Sequence, residues 1–178
     1  MFDYIKAISR CVDNNLKVLM KKIQNYQEYC MFFDVSVKSF SQFKSLYPHA
    51  PNQIMSLYKF TDGGMLFDTV LFSTERIDME TMFSKIKIEN LNEDAIKTRY
   101  TGCPKELTAF GMASFGDLYC FYSNGSEEIV QWSVSENKIV YKWTNLYAWL
   151  NNEINGAIEL ISEEILHPLG YYLEELQK

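Results

Sequence analysis

The sequence is short of the residues that build catalytic machinery. It has two histidines, four prolines and four cysteines, and no two cysteines form a CxxC pair. A Ser–His–Asp or Cys–His arrangement needs an imidazole beside its nucleophile, and nothing near either histidine supplies one. His49 lies between Pro48 and Ala50 in an expected loop, and His167 precedes Pro168 at an expected helix end, where capping of helix carbonyls is the natural role. Cys11, Cys30, Cys103 and Cys120 are too scattered for a zinc site and read as buried thiols of a reducing compartment, not as a disulfide frame. Neither GxGxxG nor GxxxxGK(S/T) occurs. Asp62-Gly63-Gly64 closes a helix instead of opening one, so it meets the negative end of the helix dipole and is no phosphate cradle. There is no run of about 18 apolar residues to span a bilayer. MFDYIKAISR carries Asp3 and lacks a continuous apolar stretch, so no secretory signal is expected. Basic charge is also scarce, with 17 Lys and Arg against 23 Asp and Glu, a formal net charge of −6. That balance excludes nonspecific binding to nucleic acid, which depends on releasing counterions to cationic side chains. It is compatible with a basic protein partner, although acidic cytosolic proteins are ordinarily acidic for solubility alone.

What the chain does have is apolar and aromatic mass. Of 178 residues, 47% are hydrophobic and 15% aromatic, enough for one domain with a substantial core and too much for disorder. Ile5, Ile8, Val12, Leu16, Leu19, Ile23 and Tyr26 recur at spacings of three and four, predicting one amphipathic helix of about 20 residues. Lys6, Arg10, Lys17, Lys21 and Lys22 occupy much of its other face. Asp3, Asp13 and Glu28 interrupt them, which favours a solvated outer face over a membrane-surface helix. CMFFDVSV (30–37) reads as a short strand and 39–47 as a short helix closed by Pro48. A helix with Pro51 at N1 then buries Ile54, Leu57, Tyr58 and Phe60 and stops at Thr61-Asp62-Gly63-Gly64. MLFDTVLF (65–72) reads as one strand. Short helices are expected near Met79–Phe83 and Glu93–Tyr100, with Gly102-Cys103-Pro104 as a break.

The stretch 107–143 reads as an antiparallel meander. Leu118 to Tyr122 is almost wholly apolar, as a strand covered on both faces should be. Asn124-Gly125 predicts a type I′ turn. Val130, Trp132 and Val134 alternate with Gln131 and Ser133, a period of two that buries one face only. Ser135-Glu136-Asn137-Lys138 forms the next turn, and Ile139, Tyr141 and Trp143 the next apolar face. Asn145 is placed to cap a C-terminal helix carrying Leu146, Trp149, Leu150, Ile154, Ile158, Ile161 and Ile165, with a bend or break expected at Gly156. From Glu153 onward there are six glutamates and one lysine. The expected fold is a single α+β domain over residues 1–178, a mainly antiparallel sheet of short strands flanked by N- and C-terminal helices.

No catalytic residue, metal ligand or cofactor site emerges. Asp62, Asp68, Asp117, Glu127 and Glu128 are acids on expected loops, with no EF-hand register among them. Trp132, Trp143 and Trp149 are expected core anchors. The meander's outward-facing rows are the expected interaction surface, and Asp62, Asp68, Glu127 and Glu128, on turns beside it, are the candidate contacts.

Three segments in order carry a resemblance. SLYKFTDGGMLFD (Ser56–Asp68) is a helix, then Asp-Gly-Gly, then a strand; GDLYCFYSNG (Gly116–Gly125) opens a strand with Gly-Asp; EEIVQWSVSENKIVYKWTNLYAWLNNEI (Glu127–Ile154) runs from a strand with its tryptophan through a second strand to an aromatic-start helix. Over about 38–154 the chain thus resembles the SUKH superfamily, the fungal cell-wall-synthesis regulator and bacterial immunity-protein family. Gly63, Gly64, Gly116, Asp117 and Trp132 match its motif positions. The resemblance implies an α+β fold, no enzymatic activity and no cofactor. It also implies a cytoplasmic bacterial immunity protein that binds a cognate toxin, often a nuclease. A scaffold without a toxin, or a small hydrolase using gathered carboxylates, are the alternatives, and a homodimer through a sheet edge or terminal helix is open. Two features depart from the family pattern: the loop before Gly116 (Met112-Ala113-Ser114-Phe115) is not glycine-rich, and the long N-terminal helix leads into CMFFDVSV.

Overall fold

The computed structural model describes residues 2–74 and 101–171. The chain forms α1 (Tyr4–Arg10), α2 (Asn14–Gln24), a 3-10 turn (Gln27–Tyr29), β1 (Cys30–Phe32), α3 (Val37–Leu46) and α4 (Asn52–Phe60). Six strands follow: β2 (Gly64–Leu66), β3 (Thr69–Leu71), β4 (Leu107–Met112), β5 (Leu118–Tyr122), β6 (Ile129–Ser133) and β7 (Lys138–Trp143), and α5 (Leu146–Ser162) closes the series. The strands make one seven-stranded sheet in chain order, every neighbour antiparallel. This is the expected α+β single domain, a meander with N-terminal helices and a C-terminal helix. The short helices expected at Met79–Phe83 and Glu93–Tyr100 lie outside the described residues.

The N-terminal stripe is two helices, not one. Cys11 is extended, and the Asp13 carboxylate accepts from the Leu16 amide at 3.0 Å, capping a new helix. Ile8, Leu16, Leu19, Met20 and Ile23 still reach the core, but the break strands Val12 at 84% exposure. Ser36 and Ser39 form a reciprocal capping box at the start of α3. Pro51 takes the N-cap of α4, one residue before its expected place. The apolar run 65–72 is a hairpin, with Phe67-Asp68 as the turn between β2 and β3. Phe67 takes a φ of 56° there and is buried, its ring 6.4 Å from that of Tyr26.

Two further expectations change in the meander. The polar row of β6 is also buried: Gln131 and Ser133 are as enclosed as Val130 and Trp132. At Asn124-Gly125 only Gly125 has positive φ, so the turn is not type I′. The turn 134–137 forms as expected, with Asn137 in the left-handed region. On the edge strand β7, Ile139 and Trp143 are only half-buried and Tyr141 is exposed.

Helix α5 starts from the Asn145 cap, which accepts from the Ala148 amide at 2.9 Å, and runs unbroken through Gly156. It lays Trp149 on the sheet, ring centroids 5.1 Å from both Phe110 and Tyr119. Leu146, Leu150 and Ile154 share that face and are fully enclosed, each contributing about 1.5–3 kcal/mol by burial. Two polar links tie the helices to it. Gln53 of α4, itself buried, accepts from the Leu146 amide at 2.6 Å, and Tyr147 donates to the Asp13 carboxylate at 2.5 Å. Burial and that carboxylate push the Tyr147 phenol up.

Candidate functional site

The Asp-Gly-Gly corner is built from the backbone outward. Thr61 closes α4 and donates to the Gly63 carbonyl at 2.7 Å and the Phe33 carbonyl at 3.1 Å. Phe33 and residues 62–63 exchange backbone bonds of 3.0 and 3.1 Å, which lays the end of β1 against this corner. Gly64, at φ +135°, pairs with Phe32, and a Cβ there would sit 2.0 Å from the Met31 carbonyl oxygen. Asp62 is only 2% exposed; its carboxylate accepts from the Thr74 amide and hydroxyl at 2.8 and 2.7 Å. Its place is interior, where it holds the chain leaving β3.

Asp117 has the same kind of position at the other end of the strands. Buried, it accepts from the Gln131 amide group at 2.9 Å and the Val134 backbone at 3.2 Å, so it joins the start of β5 to the β6–β7 turn. Gly116, at φ +96°, completes the turn before it, where a Cβ would meet open space. The Trp132 indole donates to the Thr101 carbonyl at 2.8 Å. All five motif residues therefore serve corners and packing.

The four candidate contacts do not gather. Asp68 stands at the β2–β3 turn and accepts from Ser114 at 2.9 Å across the β4–β5 turn. Glu127 and Glu128 are exposed on the β5–β6 loop, at the opposite end of the strands, about 17 Å away along a five-residue strand. Around Asp68, however, sits a group that sequence reasoning missed. Glu153 of α5 accepts from Thr69 at 2.8 Å and from Tyr119 at 3.2 Å. Burial pushes the Glu153 carboxyl up, the hydrogen bonds from Thr69 and Tyr119 oppose this, and the charge on Asp68 adds to it. The same burial, with Glu153 beside it, pushes the Tyr119 phenol up. One signal was available: Glu153 falls on the buried stripe 146, 149, 150, 153, 154, 157, where a glutamate needs a reason.

Aromatic rings continue this surface outward. Tyr119 lies 6.0 Å from Trp143, which lies 6.1 Å from Tyr141. Tyr141 is 63% exposed on the edge strand, and Phe115, next to Ser114, is 69% exposed on the β4–β5 turn. Large apolar rings with a carboxylate between them can anchor a protein partner. Among the described residues no group of three His, Cys, Asp or Glu is placed to hold a metal ion, and no helix is long and apolar enough to cross a membrane. All four cysteines are thiols; His167 packs on Tyr171 at 4.3 Å.

A seven-stranded antiparallel meander, fixed at one end by Asp-Gly-Gly and at the other by Gly-Asp, defines a small α+β binding-type domain. Residues 49–152 match the SMI1 / KNR4 family (SUKH-1), and the chain belongs to that family. It is a family of immunity proteins for polymorphic toxins and generally non-catalytic. A comparison with curated proteins finds no match. The matched span begins after the 38 expected and ends close to 154, so α1 to α3 lie outside it.

Proposed function

We propose that this chain is a cytoplasmic bacterial immunity protein that neutralises a cognate toxin by direct binding and without catalysis. The observation that carries this is the exposure of Phe115 and Tyr141 beside Asp68, on a domain of an immunity family. The rings are the affinity anchors. Asp68, Glu127 and Glu128 supply charge toward a basic surface such as the phosphate groove of a nuclease, and Asp62 acts from inside by holding the corner. The test is co-purification with the toxin domain encoded next to this gene, then stopped-flow association over a salt series. The on-rate should fall about tenfold or more between low salt and about 0.5 M, because screening shortens the reach of exposed charge. Phe115→Ala and Tyr141→Ala should each weaken the complex about tenfold with the fold intact. A salt-insensitive on-rate, or full affinity in both alanine variants, would sink this assignment of the surface.

A further inference from the structure

Apart from the aromatic surface, the N-terminal helices enclose a groove of about 490 Å³ between α1, the β1–α3 connection and α4. Phe2, Ala7, Phe40 and Phe60 line it, and the side chains of Lys6, Arg10 and Lys59 line it too. Val12 and Val37 stand in its wall at 84% and 88% exposure. Two valines left that open at one groove are apolar surface without a covering element.

The charges are unevenly committed. Of the three carboxylates in the groove, Asp3 accepts from the Lys6 amide at 2.9 Å as the cap of α1. Asp13 caps α2 and accepts from Tyr147. Both acids are therefore matched to the positive ends of their own helices. Only Asp34 is left against Lys6, Arg10 and Lys59, and among the described residues none of those three cations has an ion-pair partner. Lys59 instead lies 5.4 Å over the Phe40 ring. The neutral cap Ser36 also leaves the first turn of α3 without an acid, so its positive end faces the same space. A groove with apolar walls, three uncompensated cations and a helix start complements a ligand that is both acidic and apolar.

We infer that this groove is a second docking site, for an acidic peptide segment of a protein partner carrying leucine or phenylalanine anchors among glutamates or aspartates. It is independent of the toxin-binding surface, since its polarity is the reverse of the acidic contacts proposed there. Most of its wall comes from residues 2–41, outside the family-matched span, so it is a property of this chain's N-terminal helices.

The probe is a fluorescein-labelled peptide, acetyl-Glu-Leu-Glu-Glu-Leu-Phe-Glu-Glu-amide, titrated against the full chain by anisotropy at low and high salt. A counterpart with every glutamate replaced by lysine is the control. The acidic peptide should bind, weakening several-fold with added salt, and the lysine peptide should not. The triple variant Lys6→Glu, Arg10→Glu, Lys59→Glu changes only exposed side chains, so its circular dichroism should match the parent while affinity falls about tenfold or more. Val37→Asp should weaken binding separately through the apolar wall. Equal binding of the two peptides, or unchanged affinity in both variants, overturns the proposal; loss of binding only with the charge and valine changes supports it. Neither outcome bears on toxin neutralisation, which the Phe115 and Tyr141 variants report.

Discussion

Replacing Gly64 with alanine should cost more stability than any other single glycine substitution in the motif. Two terms add. The residue sits at φ +135°, a conformation that an L side chain adopts only at about 1–3 kcal/mol. The new Cβ would then lie 2.0 Å from the Met31 carbonyl oxygen and 2.9 Å from the Phe32 Cα, both backbone atoms that cannot rotate away. Relief requires β1 to move off β2 by about 1 Å or more, given an ordinary contact near 3.3 Å. That movement weakens the Cys30–Leu66 and Phe32–Gly64 pairing and loosens Phe32, whose ring packs within 6.0 Å of Phe2, Tyr4 and Phe60. Partial loss of these hydrogen bonds and contacts adds about 2 kcal/mol. The sum is about 4 kcal/mol, a large part of a typical domain's 5–15 kcal/mol, so expression as soluble protein should fall too.

Gly116→Ala is the matched control. Its φ of +96° carries the same kind of strain, but nothing lies within 4 Å of the added Cβ, so the cost should stop at about 1–2 kcal/mol. The assay is urea unfolding followed by tryptophan fluorescence, comparing midpoints at equal m-value. Midpoint shifts of equal size in the two variants would refute the claim that close backbone approach, and not φ alone, requires glycine at 64.

The Asp13–Tyr147 link should behave as a coupled pair: Asp13→Ala loses a helix cap and a charged acceptor, about 2 kcal/mol, and Tyr147→Phe about 1. A double-mutant cycle read by thermal denaturation should give a coupling near the smaller value, whereas strict additivity would mean the contact contributes nothing. Glu153→Gln tests the buried carboxyl. Its folded pKa is raised, so the folded state holds this proton more tightly than the unfolded chain does, and the wild type loses stability relative to Glu153→Gln as pH rises from about 4 to about 7. Melting temperatures of the pair measured across that range should diverge in favour of the variant, and parallel curves would remove burial as the cause.

How much of this could be read beforehand depends on the range of the interactions. Order and type of the elements followed from local signals, namely the stripe of α4, the Asn145 cap and the alternation in the meander. Errors arose where a local pattern had two solutions. Val12 keeps the helical phase of its neighbours, so periodicity joined α1 to α2, although Asp13 is the kind of residue that caps a new helix. The run 65–72 has no glycine, proline or asparagine to mark a turn, and Phe67 accepts positive φ only because burial against the core holds it. Gln131 looked like a solvent-facing residue because its partner, Asp117, is fourteen positions away. The same limit governs the site. Asp-Gly-Gly resembles a surface turn, yet Thr74, twelve residues on, takes the Asp62 carboxylate inside. The resemblance fixed the family, but which acids face outward depended on contacts that no local pattern encodes.

The net charge of −6 therefore overstates what a partner meets, and the acids divide into two testable groups. Asp62 and Asp117 are buried acceptors of backbone and side-chain donors, and removing either leaves those donors unpaired in the interior. Asp62→Ala and Asp117→Ala should each cost about 2–3 kcal/mol in urea unfolding. Association with a basic partner should change little in the fraction that remains folded, because buried charge is matched by its donors. Glu127 and Glu128, and likewise Glu159, Glu163 and Glu164 at the end of α5, are exposed, and neutralising them should leave stability within about 0.5 kcal/mol. Their effect belongs to the encounter step: Glu127→Gln with Glu128→Gln should slow association several-fold at low salt and converge with the wild type at high salt. The decisive outcome is a crossed one. If the exposed pair altered unfolding and the buried pair altered only the on-rate, the assignment of structural and partner-facing acids would have to be exchanged.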